Sequence, residues 1–128
     1  MDLKTYFDET KGAGILATAD SAGKIDAAVY SRPHVMEDGQ LAFIMTDRLT
    51  HANLQSNPNA VYLFMEEDKR WQGKRLYLSR TKEETDLEKI QSLMRRRKPS
   101  DIEKYKEIRK FLVYFKLDKE LPLIGEGE

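Results

Sequence analysis

Two apolar stretches near the middle of the chain constrain its fold most strongly. Residues 41–45 (LAFIM) and 61–65 (VYLFM) are apolar at every position and do not alternate with polar residues. An antiparallel strand with one face in water alternates, because successive side chains point to opposite faces of the sheet. We therefore expect both faces of these strands to be covered, one by the core and the other by a helix, a ligand or a second subunit.

The composition is typical of a single globular domain over residues 1–128. The chain is 40% hydrophobic and 34% charged, so it can form a core without disulfides or metals. It has no cysteine, which excludes thiolate metal sites, a cysteine nucleophile and disulfides, and fits a cytoplasmic location. Its two histidines are too few for a histidine-rich metal cage.

Charge and hydropathy argue against two classes of partner. The formal net charge is zero, so the overall balance does not favour nucleic acid. No apolar run approaches the roughly 20 residues that cross a bilayer, and we expect neither a membrane span nor a secretion signal. The basic run Arg95-Arg96-Arg97-Lys98 has the charge of a nucleic-acid patch, but a solvated helix end explains it better.

Turn and capping signals predict the order of the elements. Asp38-Gly39 between apolar runs predicts a hairpin of residues 34–36 with 41–45, because glycine tolerates the positive φ of the turn. Thr50 is the predicted N-cap of a helix that Asn57-Pro58 ends. The other predicted elements are a helix over 2–11, strands over 13–20, 25–30, 61–65, 75–81 and 111–117, and two helices opened by Thr85 with Glu88 and by Ser100 with Glu103. This order predicts an antiparallel barrel with helices at its edges.

The polar loop after residues 41–45 is a candidate anion site. A phosphate binds to backbone N–H groups, hydroxyls and a guanidinium. Thr46, Arg48, Thr50 and His51 supply these residue types just before a predicted helix, whose first turn adds partial positive charge. The alternative is a capped helix whose Arg and His are solvated.

Two residues before the hairpin are further candidates. Arg32 could pair with a phosphate or form a surface ion pair, and His34 could face a ligand or form a hydrogen-bonded wall of the core. We find no nucleophile elbow, isolated carboxylate pair, dinucleotide loop or Walker motif, so no catalytic residue is predicted. Any redox chemistry would therefore need a bound cofactor.

The order of these signals resembles the flavin-binding split barrels related to pyridoxamine 5'-phosphate oxidase. The shared pattern is a hairpin (residues 14–30), Arg32-Pro33, Asp38-Gly39, an apolar strand ending in Thr46, a polar loop, a short helix and Asn57-Pro58. The resemblance covers roughly residues 12–79, with a weaker match over 111–117.

The resemblance implies a mainly β (α+β) fold, a six-stranded antiparallel split β-barrel with peripheral helices. It also implies a homodimer with two FMN sites at the subunit interface. The implied cofactor-binding residues are Arg32, Pro33 and His34 beside the flavin, Met45 and Thr46 at the ring or ribityl chain, Arg48, Thr50 and His51 at the phosphate, and Lys74 and Arg75 from the partner subunit or the adjacent strand. Trp71 and its neighbouring cations could cover the flavin, although an exposed hairpin is the simpler interpretation.

Two departures from the family pattern shape the functional prediction. Thr50 stands where relatives often carry a lysine, which leaves Arg48 as the main phosphate-binding cation. Residues 121–124 do not match the Trp- and Arg-containing segment with which true oxidases bind substrate. We therefore expect an FMN-dependent oxidoreductase, flavin reductase or electron carrier rather than a pyridoxamine phosphate oxidase. The alternatives are a non-enzymatic binder of heme or another nucleotide, and a dimeric interaction module with a vestigial site.

Overall fold

A computed structural model of the protein describes residues 2–94 and 109–125, which form a mainly β domain. The elements are α1 (Leu3–Glu9), β1 (Gly12–Ala19), β2 (Ile25–Val29), β3 (His34–Val35), β4 (Leu41–Thr46), α2 (Leu49–Ser56), β5 (Asn59–Glu66), β6 (Gly73–Glu84), α3 (Leu87–Leu93) and β7 (Lys110–Pro122). Among these residues, no helix has the length and apolar character needed to cross a membrane. The predicted helix opened by Ser100 and the basic run 95–98 lie outside the described residues.

The strands form one antiparallel sheet in the order β2-β1-β5-β6-β7-β4-β3. Within the described residues β2 and β3 are its two edges, so the sheet is unclosed, as in a split barrel. The predicted order of elements is confirmed over the described residues, but the six-strand count is not, because β3 is a seventh strand. This strand makes only two register pairs with β4, His34 with Ala42 and Val35 with Leu41. Pro33 directly precedes it and has no N–H to extend the ladder.

The inner face of the sheet carries the main core, and β4 is covered on both faces as predicted. Leu41, Phe43 and Met45 point into the main core, which also holds Phe7 of α1. On the opposite face of β4, Ala42 belongs to a second cluster with Ile90 of α3 and with Leu112 and Tyr114 of β7. Helix α3 therefore covers the Ala42 part of the outer face of β4, whereas Ile44 on the same face is only partly buried.

The outer face of β5, unlike that of β4, is not fully covered. Tyr62 and Phe64 are fully buried, whereas Val61 and Leu63 on the opposite face stay partly exposed. This face continues through β1 into the edge strand β2, where Ile25 is 77% exposed and Val29 is 83% exposed. We call the exposed apolar surface of Ile15, Ile25, Val29, Val61 and Leu63 the outer patch.

Two helix starts differ from the prediction. The N-cap of α2 is Arg48, with no side-chain cap bond, while Thr50 is inside the helix and only 4% exposed. The N-cap of α3 is Asp86 rather than Thr85, because the Asp86 carboxylate accepts hydrogen bonds from the N–H groups of Glu88 and Lys89. The predicted end of α2 at Asn57 and the hairpin turn at Gly39, with φ of 87°, are confirmed.

The last two long strands extend beyond their predicted limits. β6 runs over 12 residues and β7 over 13. Leu121 and Pro122 lie in β7, where they pair with Arg75 and Lys74. The polar ends of both strands gave no alternating signal, and two register shifts between the strands accommodate them.

Candidate functional site

Two adjoining cavities lie beside the end of β4. The first, which we call the loop cavity, has a volume of about 440 Å³ and reaches from β2 to the start of α2. The second, the large cavity, has a volume of about 720 Å³ and reaches from the end of α1 to the start of β7. Both are lined by Tyr30, Ser31 and Ile44, so these three residues form the boundary between them.

The two cavities bring together most of the polar residues predicted to bind a cofactor. Met45, Thr46, Arg48 and Thr50 all line the loop cavity. They meet because β4 ends at Thr46, the chain turns with the Arg48 N–H donating to the Thr46 carbonyl at 2.9 Å, and α2 starts at Leu49. The loop cavity therefore presents two hydroxyls and a guanidinium beside an apolar wall.

Arg32 and His34 line the large cavity instead. The Arg32 Nη1 donates to the carbonyl oxygens of Phe7 at 2.7 Å and Thr10 at 3.1 Å. These carbonyls lie at the end of α1, where helices leave acceptors without an intrahelical partner. Arg32 thus fastens α1 to the cavity wall and adds a positive charge there.

Tyr30 is a wall residue that the sequence signals did not identify. Its ring packs edge-on against Phe43, with centroids 6.0 Å apart. Burial raises the pKa of its hydroxyl above the usual value and Asp26 adds to this, while a hydrogen bond with Thr50 and the charge of Arg48 oppose it. The hydroxyl therefore lies among the polar groups of the loop cavity.

The backbone of Tyr30 is held by residues of the neighbouring strands. The Tyr30 N–H donates to the Gly14 carbonyl at 3.0 Å, and the Tyr62 hydroxyl donates to the Tyr30 carbonyl at 3.0 Å. A side chain at residue 14 would disrupt this arrangement, because a Cβ there would lie 1.9 Å from the Tyr62 hydroxyl oxygen. Gly14 is thus required by a close approach rather than by a turn.

Lys110, the first residue of β7, is another cavity residue that the sequence did not reveal. It pairs in register with Thr46, lines the large cavity and is partly buried. Burial lowers its pKa, and the nearby Arg48 lowers it further. Only the pairing of β7 with β4 brings this lysine to the site, so no local pattern could have found it.

Four of the predicted site residues line neither cavity, and two of them, Pro33 and His51, belong to the strand–loop–helix region itself. His51 is 6% exposed, with Nε2 3.0 Å from Glu83 Oε2 and its ring stacked on Phe111 at 3.9 Å. Although burial alone would raise the pKa of Glu83, hydrogen bonds from His51 and Gln55 hold it below its ordinary value. This geometry gives His51 a structural position between α2 and β6, and Pro33 is also buried.

Lys74 and Arg75 lie on β6, away from both cavities of the same chain. The Lys74 Nζ is 2.8 Å from Glu120 Oε2, and the Arg75 Nε donates to the Pro122 carbonyl at 2.9 Å. Their approach from a partner subunit stays a prediction. Trp71 is exposed at the β5–β6 turn with φ of 60°, and it also lines neither cavity.

No protein-family model and no curated protein matches the sequence. Among solved structures, the chain is similar to an FMN-binding protein from Syntrophomonas wolfei, with a TM-score of 0.71 and 20% identity over 96% of this chain and 84% of that one. A candidate pyridoxamine 5'-phosphate oxidase from Lactobacillus delbrueckii gives a TM-score of 0.68 and 11% identity over 94% and 92% of the two chains. HutZ from Vibrio cholerae, described as a heme storage protein, gives 0.61 and 20% identity over 94% and 91%. These likenesses confirm the predicted resemblance at the level of the fold, which is that of the pyridoxamine 5'-phosphate oxidase-like split barrels.

Proposed function

We propose, from this shared fold, that the protein binds FMN and uses it as the redox group of an oxidoreductase, flavin reductase or electron carrier. The observation that carries the proposal is the meeting of Met45, Thr46, Arg48 and Thr50 in one cavity beside a larger one. FMN has an anionic end and a flat ring system. The small cavity offers the guanidinium of Arg48 and the hydroxyl-bearing Thr46 and Thr50 to the anionic end, and the larger one offers the aromatic residues Tyr30 and Phe43 to the ring.

The residues present fit FMN at both ends. Arg48, with the hydroxyls of Thr46 and Thr50, would hold the phosphate, since charge-assisted hydrogen bonds to a guanidinium are strong. Tyr30, Phe43 and Ile44 would contact the ring and exclude water from one side of it. When bound, FMN supplies reversible electron and hydride transfer, which the protein's side chains cannot supply themselves.

We further propose a homodimer in which the outer patch is the subunit interface. Val29 belongs to that patch and also lines the loop cavity, as does Leu49, which is 57% exposed. A second copy on the outer patch would therefore also cover the mouth of the loop cavity. The family resemblance implies that Lys74 and Arg75 of the partner would then approach the cofactor from the other side.

Titration with FMN tests the proposal directly. The purified protein is mixed with FMN, passed through gel filtration and scanned for the visible flavin absorption bands. We expect the bands to stay with the protein, and to be lost or weakened in Arg48→Gln but not in Arg70→Gln, which changes an arginine of the exposed β5–β6 turn. A folded wild-type protein that takes up no FMN would contradict the proposal.

A heme-binding, non-enzymatic protein is the second candidate. It is supported by the fold shared with HutZ and by the position of His34 in the wall of the 720 Å³ cavity, since imidazole is a common axial ligand of heme iron. Hemin added to the protein would then give a sharp Soret band that His34→Ala abolishes. In that case, added FMN would not stay with the protein through gel filtration.

A further inference from the structure

The first turn of α2 is held in place without the usual capping contact. Its N-cap, Arg48, makes no side-chain cap bond, and a helix of eight residues depends on packing for its position. The second half of α2 is joined to β1, because Asn53 Nδ2 donates to Thr18 Oγ1 at 3.1 Å. The first half, which brings Thr50 to the loop cavity, is joined to β6 by His51.

The Nε2 atom of His51 carries a proton. It lies 3.0 Å and 3.2 Å from the two carboxylate oxygens of Glu83 on β6, and a carboxylate only accepts hydrogen bonds. The Gln55 amide nitrogen is also 3.2 Å from Nε2, but its two N–H groups donate to Glu83 Oε1 and to the His51 carbonyl. His51 therefore donates to Glu83 through Nε2.

The Nδ1 atom of His51 has a different environment. In the neutral ring it is an acceptor, because Nε2 holds the proton. It lies 3.4 Å from Asp47 Oδ1, a second acceptor, and it has no hydrogen-bond partner among the described residues, although His51 is only 6% exposed. A proton on Nδ1 converts this contact between two acceptors into a charge-assisted hydrogen bond.

Carboxylates and cations compete at the His51 ring. Asp47 and Glu83 favour its protonated form, whereas the positive end of α2 disfavours it. Hydrogen bonds from His51 and Gln55 hold the pKa of Glu83 below its ordinary value, so this carboxylate stays ionised. The cations of the surrounding elements are Arg48 at the start of α2, Arg80 on β6 and Arg109 before β7, which lies 4.9 Å from the centre of the Phe111 ring on which His51 is stacked.

We propose that His51 is a positioning residue that, once protonated at Nδ1, joins Asp47 to Glu83 and so holds the β4–α2 turn to β6. The proton comes from solvent, and the ring keeps its hydrogen bond to Glu83 in both states. The turn carries Arg48, which lines the loop cavity, so the affinity of this cavity for FMN should depend on pH. That last step rests on the proposed function, whereas the coupling of His51 to the turn does not.

The first test follows the protein without ligand. The Cε1 proton signals of the histidines and the amide signals of residues 46–48 are recorded by NMR from about pH 5 to pH 8, the range in which histidine side chains ordinarily change charge. His34→Gln identifies the His51 signal, because the chain has two histidines. We expect the turn amides to shift with the midpoint of the His51 signal, and to lose most of this shift in Asp47→Ala. Asp68→Ala, at an exposed aspartate of the β5–β6 turn, is the matched control and should keep it.

The second test measures the dissociation constant of FMN in the wild type, Asp47→Ala and Asp68→Ala at pH 6 and pH 8. The phosphate of FMN changes charge in all three proteins alike, so the ratio of the wild-type and variant constants cancels this effect. Loss of the Asp47 charge itself changes the ratio at both pH values. From pH 8 to pH 6 we expect the wild type to gain affinity about two- to fivefold relative to Asp47→Ala, as for a partly exposed ion pair, and Asp68→Ala to follow the wild type.

Turn amides that do not follow the His51 midpoint, or that follow it equally in Asp47→Ala, would overturn the positioning role. A ratio that is the same at both pH values would overturn the effect on the ligand. If the wild type binds no FMN at either pH, the proposed function fails, and the amide titration still decides the role of His51.

Discussion

Removal of the Tyr62 hydroxyl tests whether this group holds the backbone of Tyr30 in the cavity wall. Tyr62 is fully buried, and its hydroxyl donates to the Tyr30 carbonyl at 3.0 Å. Tyr62→Phe keeps the ring, which packs against Phe7, Phe43 and Phe64, and removes only this donor. The Tyr30 carbonyl then loses a partner in a partly buried place.

The expected loss of stability follows from that single unsatisfied acceptor. A buried group left without its hydrogen-bond partner costs about 1–3 kcal/mol, and the removed oxygen also leaves a small void beside Gly14, whose Cα hydrogen faces it. We expect the free energy of unfolding to fall by about 1–3 kcal/mol, measured as a shift of the urea midpoint at constant slope. FMN affinity should fall as well, because Tyr30 forms the boundary of both cavities.

Tyr77→Phe is the matched control for this experiment. Tyr77 lies on the neighbouring strand β6 and is only partly buried, so its change should stay within about 0.5 kcal/mol. A Tyr62→Phe protein as stable as the wild type, with unchanged FMN affinity, would show that the hydroxyl does not hold the wall. A loss of stability without a loss of FMN affinity would show that the hydroxyl stabilises the fold but does not shape the cavity.

Three further predictions concern the phosphate, the interface and pH. Arg48→Gln should weaken FMN binding by about 1.5–3 kcal/mol in a fluorescence titration, as for a charge-assisted hydrogen bond, whereas an unchanged dissociation constant would remove Arg48 from the site. Val29→Glu places a charge on the outer patch and should convert a dimer to a monomer in sedimentation velocity, while Lys24→Glu in the exposed β1–β2 turn should not. Because the pKa of Glu83 is lowered in the folded protein, its contribution to stability should be complete above its ordinary value of 4.5 and lost as the pH falls below that value. Glu83→Gln should remove this part of the acid sensitivity in urea unfolding, and an unchanged pH profile would contradict the assignment.

Local signals predicted the parts of the fold that local chemistry determines. The Asp38-Gly39 hairpin and the end of α2 at Asn57-Pro58 depend on the φ angles that those residues tolerate, and both are confirmed. The burial of both faces of β4 followed from its unbroken apolar run. The sequence could not predict that α3 packs on the outer face of β4, because a helix, a ligand and a second subunit all require the same apolar pattern.

The residues of the candidate site differ in how far the local sequence could predict them. Arg48 and Thr50 were predicted because they are close in sequence to the end of an apolar strand. His51 belongs to the same stretch, yet α2 presents it to Phe111 and Glu83, and the orientation of so short a helix is set by its packing. Lys110 and Tyr30 reach the site only through strand pairing and the curvature of the sheet, which no local window contains.

The arrangement of the cations in the two cavities, rather than their number, distinguishes a site for flavin from a site for heme. Heme carries two carboxylates and FMN one phosphate, so Arg32, Arg48 and Lys110 would attract either ligand. A phosphate, however, concentrates its charge on oxygens of one group, and Arg48 lines the loop cavity together with the hydroxyl-bearing residues Thr46 and Thr50. Two carboxylates on separate arms would gain less from a guanidinium and hydroxyls gathered in one small cavity. The arrangement therefore predicts that Arg48→Gln weakens the binding of FMN more than the binding of riboflavin or hemin, measured as the dissociation constants of the three ligands, and an equal loss for all three would contradict a phosphate role for Arg48.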